Sequence, residues 1–487
     1  MDENVSSLFK KRDASEIKYD YSDNILYDFD TLNFTDPFFY RQWHLVIKNI
    51  GNDINVVPLW KRGINGTGVV VSVIDDGVEW THEDINPNWN FESSFDFSKN
   101  SKYTDKTRLT KADSHGTRCA GTIAAQPNSV CGVGVAFGAK IAGERLISTM
   151  TTDSMEATAL NYKFQINDIY SNSWGPNDDG ATLEGPGHLC GKALENGVIK
   201  GRKGYGSIFI FASGNGGIFD DNCNCDGFAN SIYTIAVGAI SHENKKPFYS
   251  EVCSAQLAVT YSGDRKISIT TTDILNSDVD KNTKIKGCTS SHSGTSAAAP
   301  IASGIIALML SARPDLGWRD VQHIIVDNAI IVNPEDSGWI KNGSGRFVHH
   351  AFGFGKMDAE KLVDASINHK LLPVSALKFS KLVSPNINIP IDSQVVESSI
   401  ELTEEDVGSI ESLEHVQITV KLPHQNRRFL TIKLISPSGT ESLLATERPK
   451  DESSDGYNPW TFMTVFNWGE SPIGTWKLVI NDSRKTD

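Results

Sequence analysis

Val69 to Ile74 reads Val-Val-Val-Ser-Val-Ile, a nearly continuous apolar run that stops at Asp75-Asp76-Gly77. Such a run predicts a strand buried on both faces of a parallel sheet, with its functional edge at the carboxyl end. Two later runs follow the same plan: Ser207 to Ala212, which meets Ser213-Gly214-Asn215-Gly216-Gly217, and the β-branched Ser231 to Ile240. Among them lie stretches of helical texture, Gly116 to Ala125 and the small-residue, then aliphatic Thr295 to Ala312. This alternation predicts an α/β fold built on a parallel sheet.

A short helix-like segment follows Gly353-Phe354-Gly355-Lys356-Met357-Asp358, and from about Leu371 to Asp392 the chain turns rich in Ser, Pro and Asn. A domain boundary is expected there. Beyond it Val416, Ile418, Val420 and Leu422 alternate with polar residues, as do Leu430, Ile432 and Leu434 before the turn Ser436-Pro437-Ser438-Gly439. That period predicts an all-β sandwich. The chain stops soon after the strand-like Trp476 to Ile480, so the sandwich is expected to lack a closing strand. The expected organisation is an N-terminal segment 1–35, an α/β domain 36–370, a linker 371–392 and a β domain 393–487. Two domains also suit 487 residues, too many for one compact core.

Composition narrows the partners. Hydrophobic residues make up 39% of the chain and no low-complexity tract occurs, which fits a folded globular protein. No run of about 18 apolar residues stands out and the start has no signal-peptide pattern, so no membrane segment is expected in this chain. A formal charge of -14 argues against nucleic acid and anionic membranes and favours cationic partners. Seven cysteines without a zinc-type spacing leave at least one thiol free. Asn-x-Ser/Thr signals occur at Asn4, Asn33, Asn65, Asn342 and Asn481.

The candidate chemistry sits at the ends of these elements. Ser296 lies in Ser293-Gly294-Thr295-Ser296-Ala297-Ala298-Ala299-Pro300, where small neighbours admit a substrate carbonyl and a helix N-terminus offers unsatisfied N–H groups to an oxyanion. His115 opens His115-Gly116-Thr117, a mount for a general base. Asp75, ending the first strand, is the candidate carboxylate behind it, and Asn215 the side-chain oxyanion donor.

These four motifs, in the order Asp, His, Asn, Ser, resemble those of subtilisin-like serine proteases, specifically the kexin and furin branch of proprotein convertases, with fungal-type kexin nearest. The resemblance covers about Asp36 to Ser366, and the β-rich remainder is similar to the P domain that follows in this branch. It implies a Ca2+-dependent serine endopeptidase that cleaves precursor proteins after paired basic residues. By the same resemblance Asp178 and Asp226 surround a P1 arginine, while Asp76 and Asp113 face the P2 side chain. Ala112 stands where a further acid is usual, which implies weaker P2 selectivity. Glu156, Glu184 and Phe228 match the P4 pocket. Asp178, Asp221 and Glu251 match one calcium site. Asp36, Asp84 and the loop Gln126 to Gly132, with Asn128 or Ser129, match another. The implied disulfides are Cys131–Cys288 and Cys223–Cys253, leaving Cys119, Cys190 and Cys225 unpaired.

Lys10-Lys11-Arg12 resembles the branch's maturation site, with a mature start at Asp13. The family reading brings an inhibitory prosegment, a secretory-pathway location and a monomer as expectations. The rival readings are a scaffold that keeps the fold without cutting and a broadly degradative protease. The intact quartet weighs against the first and the acidic pockets against the second.

Overall fold

A computed structural model describes residues 32, 34–46, 52–103, 109–277, 285–385, 387, 389–390 and 395–484. The dibasic segment at Lys10-Lys11-Arg12 lies outside them, as do Asn4 and Asn33.

The N-terminal domain is built on an eight-stranded sheet of order β3-β2-β4-β1-β5-β6-β7-β8. Its strands are β1 (Val70–Asp75), β2 (Phe95–Asp96), β3 (Ser101–Lys102), β4 (Lys140–Arg145), β5 (Ile169–Asn172), β6 (Ile208–Ala212), β7 (Thr234–Ile240) and β8 (Ala258–Tyr261). All pair in parallel except β3, which runs antiparallel to β2. The apolar runs read from sequence are the central strands: five of the six residues of β1 and all of β6 and β7 are buried. After β1 the chain adds strands on one side of it, then crosses to the other with β5. The carboxyl end of β1 therefore sits at the switch point where α/β sheets form their crevice.

Helices cover the sheet. Helix His115–Ala124 starts beside the end of β1, and helix Thr295–Ala312 runs under the strands with 16 of its residues buried. Among the described residues, the latter alone is long and apolar enough to cross a membrane, but 89% of it is buried in the core. Its hydropathy is that of a central core helix. A ribbon of β9 (Ile269–Thr272) and β10 (Cys288–His292) leads into it. The pair β11 (Ile340–Lys341) and β12 (Phe347–Val348) and the helix Ala359–Ile367 finish the domain.

The described residues from 371 to 390 hold no helix or strand. The C-terminal domain that follows packs two antiparallel sheets. One has the order β13 (Val395–Leu402), β18 (Gly474–Asp482), β15 (Leu430–Ile435), β16 (Glu441–Ala445), and the other pairs β14 (Val416–Leu422) with β17 (Tyr457–Thr464). The last strand is thus an inner one, paired along its length with β13 and β15. Leu430, Ile432, Leu434, Phe462 and Trp476 form the sandwich core, the inward half of each alternation.

The two domains share more than a linker. Met463, Val465, Phe466 and Trp468, each at most 1% exposed, belong to the hydrophobic cluster of the α/β domain. Cys131 is bonded to Cys288 and Cys223 to Cys253, while Cys119, Cys190 and Cys225 are free and buried.

Candidate active site

The first strand delivers Asp75, fully buried, to the switch point. Both of its carboxylate oxygens lie 2.9 Å from His115 Nδ1. Glycine follows His115 because the helix start presses on the strand end: a Cβ at Gly116 would lie 2.4 Å from the Gly77 carbonyl and 2.8 Å from Asp75 Cβ. The His-Gly pair is therefore a packing requirement of the site. His115 Nε2 is buried without a hydrogen-bond partner. Burial works to lower the imidazole pKa, but the charge and hydrogen bond of Asp75, together with Cys119, outweigh it and hold the pKa well above the ordinary value.

Ser296, 3% exposed, is the second residue of its helix. Its carbonyl would normally accept from residue 300, but Pro300 has no N–H. The freed carbonyl accepts instead from Ser173 Oγ at 3.1 Å, with Cys119 Sγ 3.6 Å away. The same sulfur is 3.9 Å from His115 Nδ1, so Ser296 and His115 meet around one buried thiol. Burial pushes that thiol's pKa up, which makes it a packing group rather than a nucleophile. Ser296 Oγ itself has a weak 3.5 Å contact to the Ser173 carbonyl.

Asn215 follows β6. Its Oδ1 accepts from Thr295 N at 2.8 Å and Thr295 Oγ1 at 3.1 Å, which fixes the amide so that Nδ2 is the end left for donation. Gly294, at φ +86°, lets the chain turn into the helix, and a Cβ there would sit 3.1 Å from Asn215 Oδ1. Asp178 Oδ2 anchors the other side, accepting from Asn215 N at 2.8 Å and, weakly, from Nδ2 at 3.4 Å.

Asp178, Asp221, Asp226 and Glu251 line one small cavity, of about 10 Å³, together with Pro176, Asn177 and Thr182. Burial raises the pKa of Asp178 to about 6 and of Asp226 to about 7, and it raises Asp221 and Glu251 as well. Four acids crowded this way lack enough positive charge, and oxygen-only donors are the chemistry a hard divalent cation requires. A cation of the other domain reaches Asp221. Arg448, 1% exposed, donates from Nε to Asp221 Oδ1 at 2.9 Å and from Nη2 to the Thr182 carbonyl at 2.6 Å. Sequence reasoning missed it, since nothing in the run Glu447-Arg448-Pro449 marks a long-range partner.

A second oxygen-rich cluster joins Asp36 and Asp84, whose Oδ2 atoms are buried without partners. Burial raises the Asp84 pKa to about 7 and raises that of Asp36. Asn128 donates from Nδ2 to Asp84 Oδ1 at 2.9 Å while its Oδ1 accepts from Val130 N at 2.7 Å. It therefore braces the acids, and Ser129 is exposed.

The residues matched to P2 are brought together but already engaged. Asp76 accepts from His115 N at 3.0 Å and Gly116 N at 2.8 Å, and burial with Asp75 nearby raises its pKa to about 7. Asp113 accepts from Thr110 and lies 3.2 Å from Arg145 Nη2, and Arg145 Nε also donates to the Asp76 carbonyl at 2.9 Å. Arg145 ends β4, the edge where functional residues gather, a signal the sequence did carry. Glu156, on helix Asp153–Ala159, has its pKa raised by burial first and also by Asp153 and Glu184, so the two glutamates share a neighbourhood. Phe228 is only 4% exposed, stacked on Phe211 and edge-on to Trp174, and forms part of the layer beneath the surface.

Residues 66–355 match the family model of the subtilase family, and residues 413–487 that of the proprotein convertase P-domain. The chain is 47% identical to the mouse protein "Proprotein convertase subtilisin/kexin type 7" over 93% of this chain and 59% of that one. It is 45% identical to the "Dibasic-processing endoprotease" of Schizosaccharomyces pombe over 97% of this chain and 66% of that one. The chain thus spans about three-fifths to two-thirds of the length of these relatives. Among solved structures, the serine protease of Aeromonas sobria in complex with its chaperone superposes with a TM-score of 0.81 at 23% identity, covering 92% of this chain and 88% of that one. At that identity the match speaks for the shared two-domain fold.

Proposed function

Because the chain belongs to the subtilase family, in its kexin/furin-type proprotein convertase branch, we propose that it is a serine endopeptidase that cleaves precursor proteins after paired basic residues, with Asp75, His115 and Ser296 as its catalytic triad. The observation that carries the reading is the His115 ring: Nδ1 is held by both oxygens of Asp75 and Nε2 has no partner, beside a serine at a helix N-terminus. Nε2 is the atom that would take the Ser296 proton as Oγ attacks the scissile carbonyl and return it to the leaving amine. Asp75 keeps the proton on Nδ1 and stabilises the imidazolium. Asn215 Nδ2 and the N-terminal amides of the Ser296 helix would donate to the oxyanion.

The acidic cavity supports the preference for arginine at P1. A guanidinium at its mouth would meet Asp178 and Asp226, carboxylates that suit a planar, bidentate donor. Ca2+ would be held by Asp178, Asp221 and Glu251 behind that pocket and by Asp36 and Asp84 in the second cluster, where it would supply the positive charge these buried acids lack. Asp76 would serve P2, with Asp113 tied to Arg145, and Glu156 and Glu184 would serve P4. An inhibitory prosegment as partner, a secretory location and a monomeric state complete the reading. The two disulfides support an oxidising compartment.

The test is release of a fluorophore from Lys-Arg and Ala-Ala peptides, with and without EDTA, using chain co-expressed with a prosegment in trans. Cleavage of the Lys-Arg peptide alone, lost in EDTA, is the expected result. Silence on both peptides from a folded sample would sink the reading.

A further inference from the structure

We propose that Asn65 is an N-glycosylation site and that Asn342, which carries the same three-residue signal, bears no glycan in the folded protein. The inference lies outside the peptidase chemistry and takes only its cellular setting from the secretory reading. An N-linked glycan is bulky and hydrophilic, so its asparagine must stand in a surface loop with its amide nitrogen free.

Asn65 lies in the bend between helix Val57–Lys61 and β1. Its Oδ1 accepts from Thr67 Oγ1 at 2.7 Å and from Thr67 N at 3.1 Å, so the carbonyl half of the amide is tied to the hydroxyl of its own signal. Its Nδ2 makes no hydrogen bond among the described residues. Lys61, Arg62, Gly63, Thr67 and Gly68 around it are exposed. Gly66 permits the reversal at φ +93°, where a side chain would also meet Ala136 Cβ at 2.8 Å. The turn is anchored through its backbone, with the Asn65 carbonyl accepting from Gly138 N at 2.8 Å. Because it precedes β1, a glycan here would leave from the sheet edge opposite Asp75, about 20 Å along the strand direction from the cleft.

Asn342 is the opposite case. It is 4% exposed, and its Nδ2 donates to the Phe466 carbonyl at 2.8 Å and the Trp468 carbonyl at 3.0 Å, across the seam between the domains. Its Oδ1 accepts from Ser344 N, Ser344 Oγ and Arg346 N. A sugar on Nδ2 would remove a donor from that seam and occupy the space into which Phe466 and Trp468 pack.

In the transfer, Asn65 Nδ2 attacks the anomeric carbon of a lipid-linked oligosaccharide diphosphate. The carbon–nitrogen bond forms, the bond from that carbon to the diphosphate oxygen breaks, and the amide loses one proton as the lipid diphosphate leaves. The test expresses the chain behind a secretion signal, with a prosegment in trans, in a eukaryotic host. Secreted protein is deglycosylated with peptide N-glycosidase in heavy-oxygen water and mapped by peptide mass spectrometry. Most molecules should show Asn65 converted to labelled aspartate and Asn342 unlabelled. An unlabelled Asn65, or majority labelling of Asn342 in the folded secreted fraction, would overturn the proposal. Thr67→Ala should remove one glycan step on a gel and Thr67→Ser retain it, with peptide hydrolysis unchanged in both. Secreted chain that is labelled at Asn65 yet silent on Lys-Arg peptides would count against the peptidase reading alone.

Discussion

At the scale of single residues the site is a set of amides and rings whose orientation is set by what lies behind them. Ser296→Ala should lower kcat by about six orders of magnitude while leaving the cooperative unfolding transition where it was. Residual hydrolysis within a factor of ten of the parent would remove Ser296 from the triad. Asn215→Ala should cost about 10²–10³ in kcat with little change in KM, because its donor serves the oxyanion rather than the ground-state carbonyl. A loss carried by KM would show that Asn215 works by shaping the Asp178 pocket instead. At P1, Asp226→Asn should lower kcat/KM for arginine far more than for a neutral residue. An unchanged arginine preference would take Asp226 out of the pocket.

Two elements do most of the positioning, the first sheet strand and the serine helix. The helix uses its proline: without an N–H at Pro300 the Ser296 carbonyl is released to Ser173 and Cys119, which ties the nucleophile's backbone to the strand β5 edge and the His115 helix. Pro300→Ala restores a competing donor within the helix. It should leave stability equal or higher while lowering kcat several-fold, a split read by calorimetry together with steady-state kinetics. These elements were legible beforehand to within a residue or so, since buried parallel strands and a core helix write long apolar runs. The engagement of Asp76 by two helix amides and of Asp113 by Arg145 was not, because those bonds join residues with no shared periodicity.

Across the whole molecule the two domains are fastened by a continuous core and by charge. Burying Met463, Val465, Phe466 and Trp468 stabilises the assembly by about 2 kcal/mol per side chain. Around them lie titratable groups. His350 Nε2 accepts from Leu443 N at 3.0 Å, and burial lowers its pKa to about 4. His415, packed 5.1 Å from the Trp468 ring, is likewise lowered to about 4 by burial. Burial works against the Glu414 charge, but hydrogen bonds from Arg319 and His323 outweigh it and hold its pKa at about 2. The signs agree. A histidine whose folded pKa is depressed binds protons more readily unfolded, so stability is lost as pH falls from about 6.5 towards 4. Glu414 adds a loss below its ordinary value of 4.5. Each histidine contributes about 3 kcal/mol at most over that window. These seam groups should therefore pull Tm down from pH 6.5 to 4, against the buried acids Asp76, Asp84, Asp178 and Asp226, whose raised pKa values favour folding as they take up protons. The seam's share is read as a difference: His350→Gln should lose less Tm than the parent over that window, and equal losses would take His350 out of the pH dependence.

The amino-acid sequence by itself determined the parallel sheet, the β sandwich and the order of Asp75, His115, Asn215 and Ser296. Each is written in local periodicity or in a short motif, where neighbouring residues answer to one element. Only the tertiary structure decided that Arg448 of the second domain reaches Asp221 of the acidic cavity in the first, that Asn128 donates to Asp84, and that Asn342 is sealed into the domain seam while Asn65, among the described residues, bonds only through its oxygens. Those outcomes depend on contacts between residues far apart in the chain, and nothing in the local pattern of a sequence records which distant surface a side chain will meet.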